Sequence, residues 1–251
     1  MSGAASILRK PATTTLLSLV AVGLLLEAAI RAGLVNRFAM PLPSSIIAAY
    51  GGLFRNEGIL GRLLTTGSLA LAASLLIGVI GLLLGILFAR RVVLGKAFEP
   101  FVAAFAAAPL VLTYPIFLVF FGRTSWALII FAVVGGIAPV ILKTMEGLAE
   151  VKPVLKNVGK ALQLSPQQMF FKIELPAALP TIFTGIRLGF VFGLIHLVAM
   201  EFLLSFGGLG GLVAELAERY NPAATYASVS FVILISIGAF VALERIERWL
   251  R

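Results

Sequence analysis

The sequence has 251 residues, of which 60% are hydrophobic and 12% charged, and its mean hydropathy is +1.07. A soluble chain of this length could not cover so apolar a surface, so the composition describes a protein that crosses a membrane several times. The formal charge is +9, and the absence of Cys and Asp beside a single His leaves no disulfide, no thiolate and almost nothing for a metal site or catalytic triad.

Arg9 and Lys10 precede an apolar run from about Thr13 to Ile30. This opening looks like a signal peptide, but no small-x-small cleavage site follows directly, so it reads as a retained first span. Glu27 falls near its outer end. Residues 31–62 differ in character, with Arg31, Arg37, Arg55, Arg62 and Glu57 and the pair Pro41 and Pro43. Ser44 is read there as the N-cap of an amphipathic helix reaching about Phe54, lying along the outer face.

The remainder, 63–251, reads as a core of further spans. The second runs from about Thr65 to Phe88, and its Gly78, Gly81 and Gly85 face would admit a close neighbouring helix. Arg90, Arg91 and Lys96 mark the turn that follows. A third span, about Phe98 to Phe121, contains Pro100, Pro109 and Pro115 and is expected to be kinked. After Phe121-Gly122-Arg123 the chain returns through Trp126 to Leu142, with Pro139 near the inner end and Lys143 beyond.

The 150–180 segment is the longest polar interruption of this half, carrying Lys152, Lys156, Lys160 and Lys172. Its pattern predicts two short helices. The first opens at Pro153, with Val154, Leu155, Val158 and Leu162 on one apolar face. The second has Ser165 at its N-cap, Pro166 at N1 and Gln168 completing a capping box, and is expected to end at Leu175-Pro176. Pattern alone leaves two readings of the pair: docking against a soluble partner, or lying on the lipid surface.

A fifth span is expected after Pro180, reaching about Leu204 and carrying Arg187, His196 and Glu201. Ionisable groups at such depth face protein or water, which makes these three, with Tyr114 and Phe117 of the third span, candidates for lining a pathway. His196 and Glu201 stand about 140° apart on a helix and do not form a tight pair. A Gly-rich turn, Ser205 to Gly211, then a short outer helix, Leu212 to Tyr220, lead to a last span over about Thr225 to Leu243. Six spans place both termini on one side. Thirteen basic residues then fall on the terminal side and six on the other, so both ends are expected in the cytoplasm. Basic residues gathered at span ends exclude nucleic acid as a partner, and no GxxxxGK[ST] phosphate loop is present.

From Pro41 onward the sequence resembles the permease subunits of bacterial ABC importers, in particular those of the nitrate/sulfonate/taurine type. The resemblance is carried by Leu42-Pro43-Ser44, Gly78 and Gly85, Pro109 and Pro115, Phe121-Gly122 and Gly208-Leu209-Gly210. Most specific is Ile173-Glu174-Leu175-Pro176-Ala177-Ala178-Leu179-Pro180, followed by Gly185-Ile186-Arg187. It implies an all-α integral membrane protein of about six spans with the type I importer permease fold. It also implies a cytoplasmic EAA-type loop whose coupling helix sits in a cleft of an ATP-hydrolysing subunit. Counted back from Leu175-Pro176, the Glu-Ala-Ala of that pattern falls on Asn157-Val158-Gly159, and its following glycine on Gln163. The second half of the pattern is kept and the first is not. One account is that a second, different permease keeps the full motif; the other is drift at a tolerant position, or an equivalent contact made by Lys156 or Lys160.

The coupling candidates are therefore Asn157, Gly159, Gln163, Ser165, Pro166, Gln168, Met169, Phe170, Leu175 and Pro176. The implied assembly has two ATP-binding subunits, a second permease and an extracytoplasmic substrate-binding protein, embedded in the lipid of the inner (plasma) membrane. ATP and Mg would belong to the ATPase subunits, with no cofactor or metal on this chain. The competing expectation is an ATP-independent carrier or channel, which would show internal inverted repeats; no repeat is visible here.

Overall fold

The computed structural model describes residues 11–37 and 39–250, so Arg9, Lys10 and Arg251 of the predicted cytoplasmic set lie outside the described residues. The helices are α1 (Pro11–Arg31), α2 (Pro43–Arg55), α3 (Ile59–Arg90), α4 (Val92–Ala107), α5 (Tyr114–Phe121), α6 (Ser125–Ala149), α7 (Pro153–Ala161), α8 (Pro166–Leu203), α9 (Leu209–Glu218) and α10 (Pro222–Leu250). A 3₁₀ turn, Leu110–Thr113, separates α4 from α5.

Among the described residues, α3, α6, α8 and the Pro222–Arg245 part of α10 are long and apolar enough to cross a bilayer, and α4 with the Leu110–Phe121 segment makes one bent pair. Six spans were expected, and the first of them is the helix α1.

The expected third span is not a kinked rod. Its two halves meet at 87°. Ala108, which precedes Pro109, is driven into an extended conformation (φ −70°, ψ 142°), as the proline ring demands of the residue before it. Pro115 then sits in the first turn of α5, where its missing N–H is harmless. The fourth span also overruns its predicted end at Leu142. It winds on to Ala149, burying Thr144, Gly147 and Leu148, and Lys143 pairs along the helix with Glu146 at 2.6 Å.

The core is a three-helix contact of α3, α6 and α8. Leu69, Ala70 and Ala73 of α3, Leu128, Phe131 and Ala132 of α6, and Leu194, Leu197 and Met200 of α8 form one buried cluster. Small residues set the approach. A Cβ on Gly81 would meet Val140 at 2.7 Å, and one on Gly189 would meet the Gly136 carbonyl oxygen at 2.6 Å, so α6 and α8 touch backbone to backbone. Gly78, predicted on the same close face as Gly81 and Gly85, has nothing within 4 Å of its Cβ position and takes no part.

A second cluster joins Leu53 and Ile59 to Leu209, Leu212, Leu216, Ala224 and Ala227. Ser44 does not cap α2: the helix opens one residue earlier, with Leu42 at the N-cap and Pro43 following. The Ser44 N–H and hydroxyl instead donate to the Glu27 carboxylate, at 3.0 and 2.8 Å, while Arg31 donates to the same group. Glu27 thus supplies from α1 the capping acceptor that α2 lacks.

Candidate functional site

The 152–180 loop is built from local signals. Pro153 opens α7, and at its C-terminal end Gln163 N–H donates to the Lys160 carbonyl and Leu164 N–H to the Gly159 carbonyl. This pair of bonds is a Schellman ending, which needs a left-handed residue between them. Gln163 fills that place at φ +52°, the position onto which the family glycine falls. The capping box is as predicted: Ser165 Oγ accepts from the Gln168 N–H, and the Gln168 amide oxygen accepts from the Ser165 N–H.

The helix does not end at Leu175-Pro176. Phe170–Glu174 winds as a π turn in which the Leu175 N–H donates to the Phe170 carbonyl, so the α pattern restarts at Leu175 and Pro176 falls in its first turn. There the proline costs no ladder bond. The second loop helix and the expected fifth span are one continuous helix of 38 residues.

The loop's two faces are unlike each other. Phe170 is buried, 4% exposed, among Leu148, Val151, Ala178 and Ile182, and the Arg90 guanidinium stacks 4.0 Å from its ring centroid. Met169 covers Gly159. Lys156 approaches Glu174 at 4.0 Å. By contrast Val154, Leu155, Val158 and Leu162, the predicted apolar stripe of α7, are all exposed, and so is Phe171 at 65%. Asn157, Gln163, Ser165, Pro166, Gln168 and Pro176 are also exposed; Gly159 is buried and Leu175 half-buried. A cavity of about 870 Å³ opens beside the loop, with Arg90, Lys96, Glu99, Glu150, Lys156 and Glu174 among its lining residues.

The pathway candidates separate into three places. Phe117 packs edge-on to Phe131 at 5.0 Å, Phe131 packs edge-on to His196 at 5.6 Å, and Tyr114 borders the same cluster. His196 is half-buried, and its Nδ1 pairs with the Phe192 carbonyl at 2.7 Å. Arg187 is in an ion pair with the buried Glu247 at 3.2 Å and lies 5.2 Å from the Phe240 ring centroid. Glu201 is fully enclosed near the C-terminal end of α8 and hydrogen-bonded to Thr66 and Gly210. Outside the spans, the Glu215 carboxyl is held below its ordinary value chiefly by the hydrogen-bonded Arg62 guanidinium.

Thr66, Phe171, Arg90 and Glu247 are absent from the sequence-based candidates. The exposure of Phe171 follows from the phase of a π turn, and the other three act through residues far along the chain.

A family model described as the binding-protein-dependent transport system inner membrane component matches residues 78–251. The bicarbonate transport system permease protein CmpB of Synechocystis is 31% identical over 75% of this chain, and the match spans 64% of that protein's length, just under two thirds. The putative aliphatic sulfonates transport permease protein SsuC of Bacillus subtilis is 29% identical over 86% of this chain and 80% of its own. Among solved structures, an inward-facing MetNI methionine ABC transporter chain superposes with a TM-score of 0.67 at 20% identity, covering 77% of this chain and 96% of that one.

Proposed function

Because the chain belongs to the family of binding-protein-dependent transport system inner membrane components, we propose that it forms one membrane-spanning half of an ABC importer and transmits ATP hydrolysis by a separate subunit to solute uptake. The single observation that carries the coupling assignment is the exposed stripe of Val154, Leu155, Val158 and Leu162 on α7, flanked by lysines and continued by Phe171. An apolar helical face of this kind is what a groove on a partner takes up. Phe170 and Met169 do a different job in this reading. They anchor the loop to the spans, so that force delivered to α7 reaches α8.

The assembly that fits has two permeases, two ATP-binding subunits inside and a substrate-binding protein outside, with both termini cytoplasmic. ATP and Mg would be held by the ATPase subunits. Asn157 at the place of the family glutamate favours pairing with a different permease that keeps an acidic residue there. The path itself would be bordered by Tyr114, Phe117 and His196, since Arg187 and Glu201 already have partners in the fold.

The test is co-purification of the tagged chain with its ATPase. Val158→Glu and Leu162→Glu should abolish recovery of the ATPase while leaving the chain folded and in the membrane. Undiminished recovery with both substitutions would remove α7 from the interface.

A further inference from the structure

Glu201 is a fully buried carboxylate with no cation bonded to it among the described residues, yet it is amply hydrogen-bonded. The Thr66 hydroxyl of α3 donates to it at 2.9 Å from each oxygen, and the Gly210 N–H in the first turn of α9 donates at 2.9 Å. Thr66 in turn accepts from the Leu209 N–H at 2.8 Å. Two of the unpaired donors that open α9 are therefore satisfied by residues from two other helices. The N-cap residue of α9 itself contributes no side-chain bond, since it is Gly208, and a Cβ there would collide with the Glu201 carboxylate.

The other end of α9 is gripped from the same helix. Arg62, one turn before Thr66 on α3, donates twice to Glu215 at 2.8 Å. The outer helix is thus fastened at both ends to α3 and at one end to α8. Burying a carboxyl group without a bonded cation is costly, and an apolar residue of similar size would serve simple packing as well or better. Specific attachment accounts for its presence.

The inner end of α8 is the coupling loop itself. From Pro166 to Leu203 the helix is unbroken, about 57 Å at 1.5 Å per residue. No loop intervenes between Ser165 and Glu201.

We propose that Glu201 and Thr66 are positioning residues that carry movement of the cytoplasmic loop, through α8, to the outer helix α9, so that α9 moves with α3 and α8 as one unit. The proposal rests on the importer reading. It assigns α9 as the element whose placement is altered at the outer mouth, where a binding protein would deliver solute.

The experiment uses the complex of this chain with its ATPase and binding protein in proteoliposomes, reading the ratio of binding-protein-stimulated to basal ATP turnover. Glu201→Ala and Thr66→Val should each lower that ratio about tenfold, within the usual range of coupling between sites. Thr66→Ser, which keeps the hydroxyl, should retain it. A second arm exploits the absence of cysteine from the chain. Arg62→Cys with Glu215→Cys, joined by a short bifunctional thiol reagent, fixes α9 to α3, and transport should persist relative to the same variant before joining.

An unchanged ratio in Glu201→Ala and Thr66→Val, or transport stopped by the crosslink, overturns the proposal. If Glu201→Ala fails to assemble, Thr66→Val and the crosslink decide. If the unaltered complex shows no stimulation by its binding protein, the importer reading falls as well.

Discussion

Gly159 and Met169 lie so close that a Cβ on Gly159 would stand 2.6 Å from the Met169 sulfur and terminal carbon, with the Ile173 side chain at 2.8 Å. This contact seats α7 on the π turn. Gly159→Ala gains about 1 kcal/mol of helix propensity, and the atoms its Cβ would meet are the flexible ends of Met169 and Ile173, which can move aside at little cost. The expected net effect is a slight gain, read as a higher thermal midpoint of the detergent-solubilised chain. In a Met169→Ala background, where less must move, the gain should grow. Additive effects of the two changes would mean the close approach is not what matters.

Gln163 stands in a left-handed conformation that costs an ordinary residue about 1–2 kcal/mol. Glycine returns part of this gain, about 0.5–1 kcal/mol, as extra freedom of the unfolded chain. Gln163→Gly should therefore stabilise the loop slightly, and Gln163→Val should destabilise it. Slower hydrogen exchange of the Leu164 amide in the glycine variant is the direct readout.

Phe170 and Phe171 are neighbours with opposite exposure. Phe170→Ala should cost about 3–5 kcal/mol, because it empties the pocket under Arg90. Phe171→Ala should leave the thermal midpoint nearly unchanged and weaken ATPase recovery instead. If both changes lowered stability alike, the two-faced description of the loop would be wrong.

The Glu215 carboxyl is held low by Arg62. A depressed folded-state value contributes stability that is present above the unfolded value and is lost as pH falls through the folded one. Unfolding midpoints should therefore drop as pH goes below about 4.5, the ordinary value for Glu. Glu215→Gln should flatten that part of the profile. An identical acid limb in the variant would show that the pair carries none of it.

Local chemistry was readable from the chain. Pro153, the Ser165–Gln168 capping box and the apolar runs of the long helices are each legible without remote partners, and the helices and caps they predict are present. The failures occur where two local rules compete or where the partner is remote. Pro176 reads as a stop by every rule of helix interiors, and only a π turn before it makes it harmless. Pro109 reads as one kink among three prolines, but it is the one whose preceding residue is extended. Ser44 reads as its own helix's cap, and nothing nearby in sequence reveals that Glu27, seventeen residues back, accepts its hydrogen bonds. Glu201 reads as a pathway candidate because its partner Thr66, 135 positions away, is not visible from the local pattern.

The contact of α6 with α8 at Gly136 and Gly189 has a mechanical consequence. With no side chains between the backbones, a side chain at either glycine would force the two helices apart. From Gly189, twelve residues lead to Glu201 and twenty-three to Pro166, arms of roughly 18 and 35 Å at the usual rise. A tilt of α8 forced by such a wedge would therefore displace its Pro166 end about twice as far as its Glu201 end.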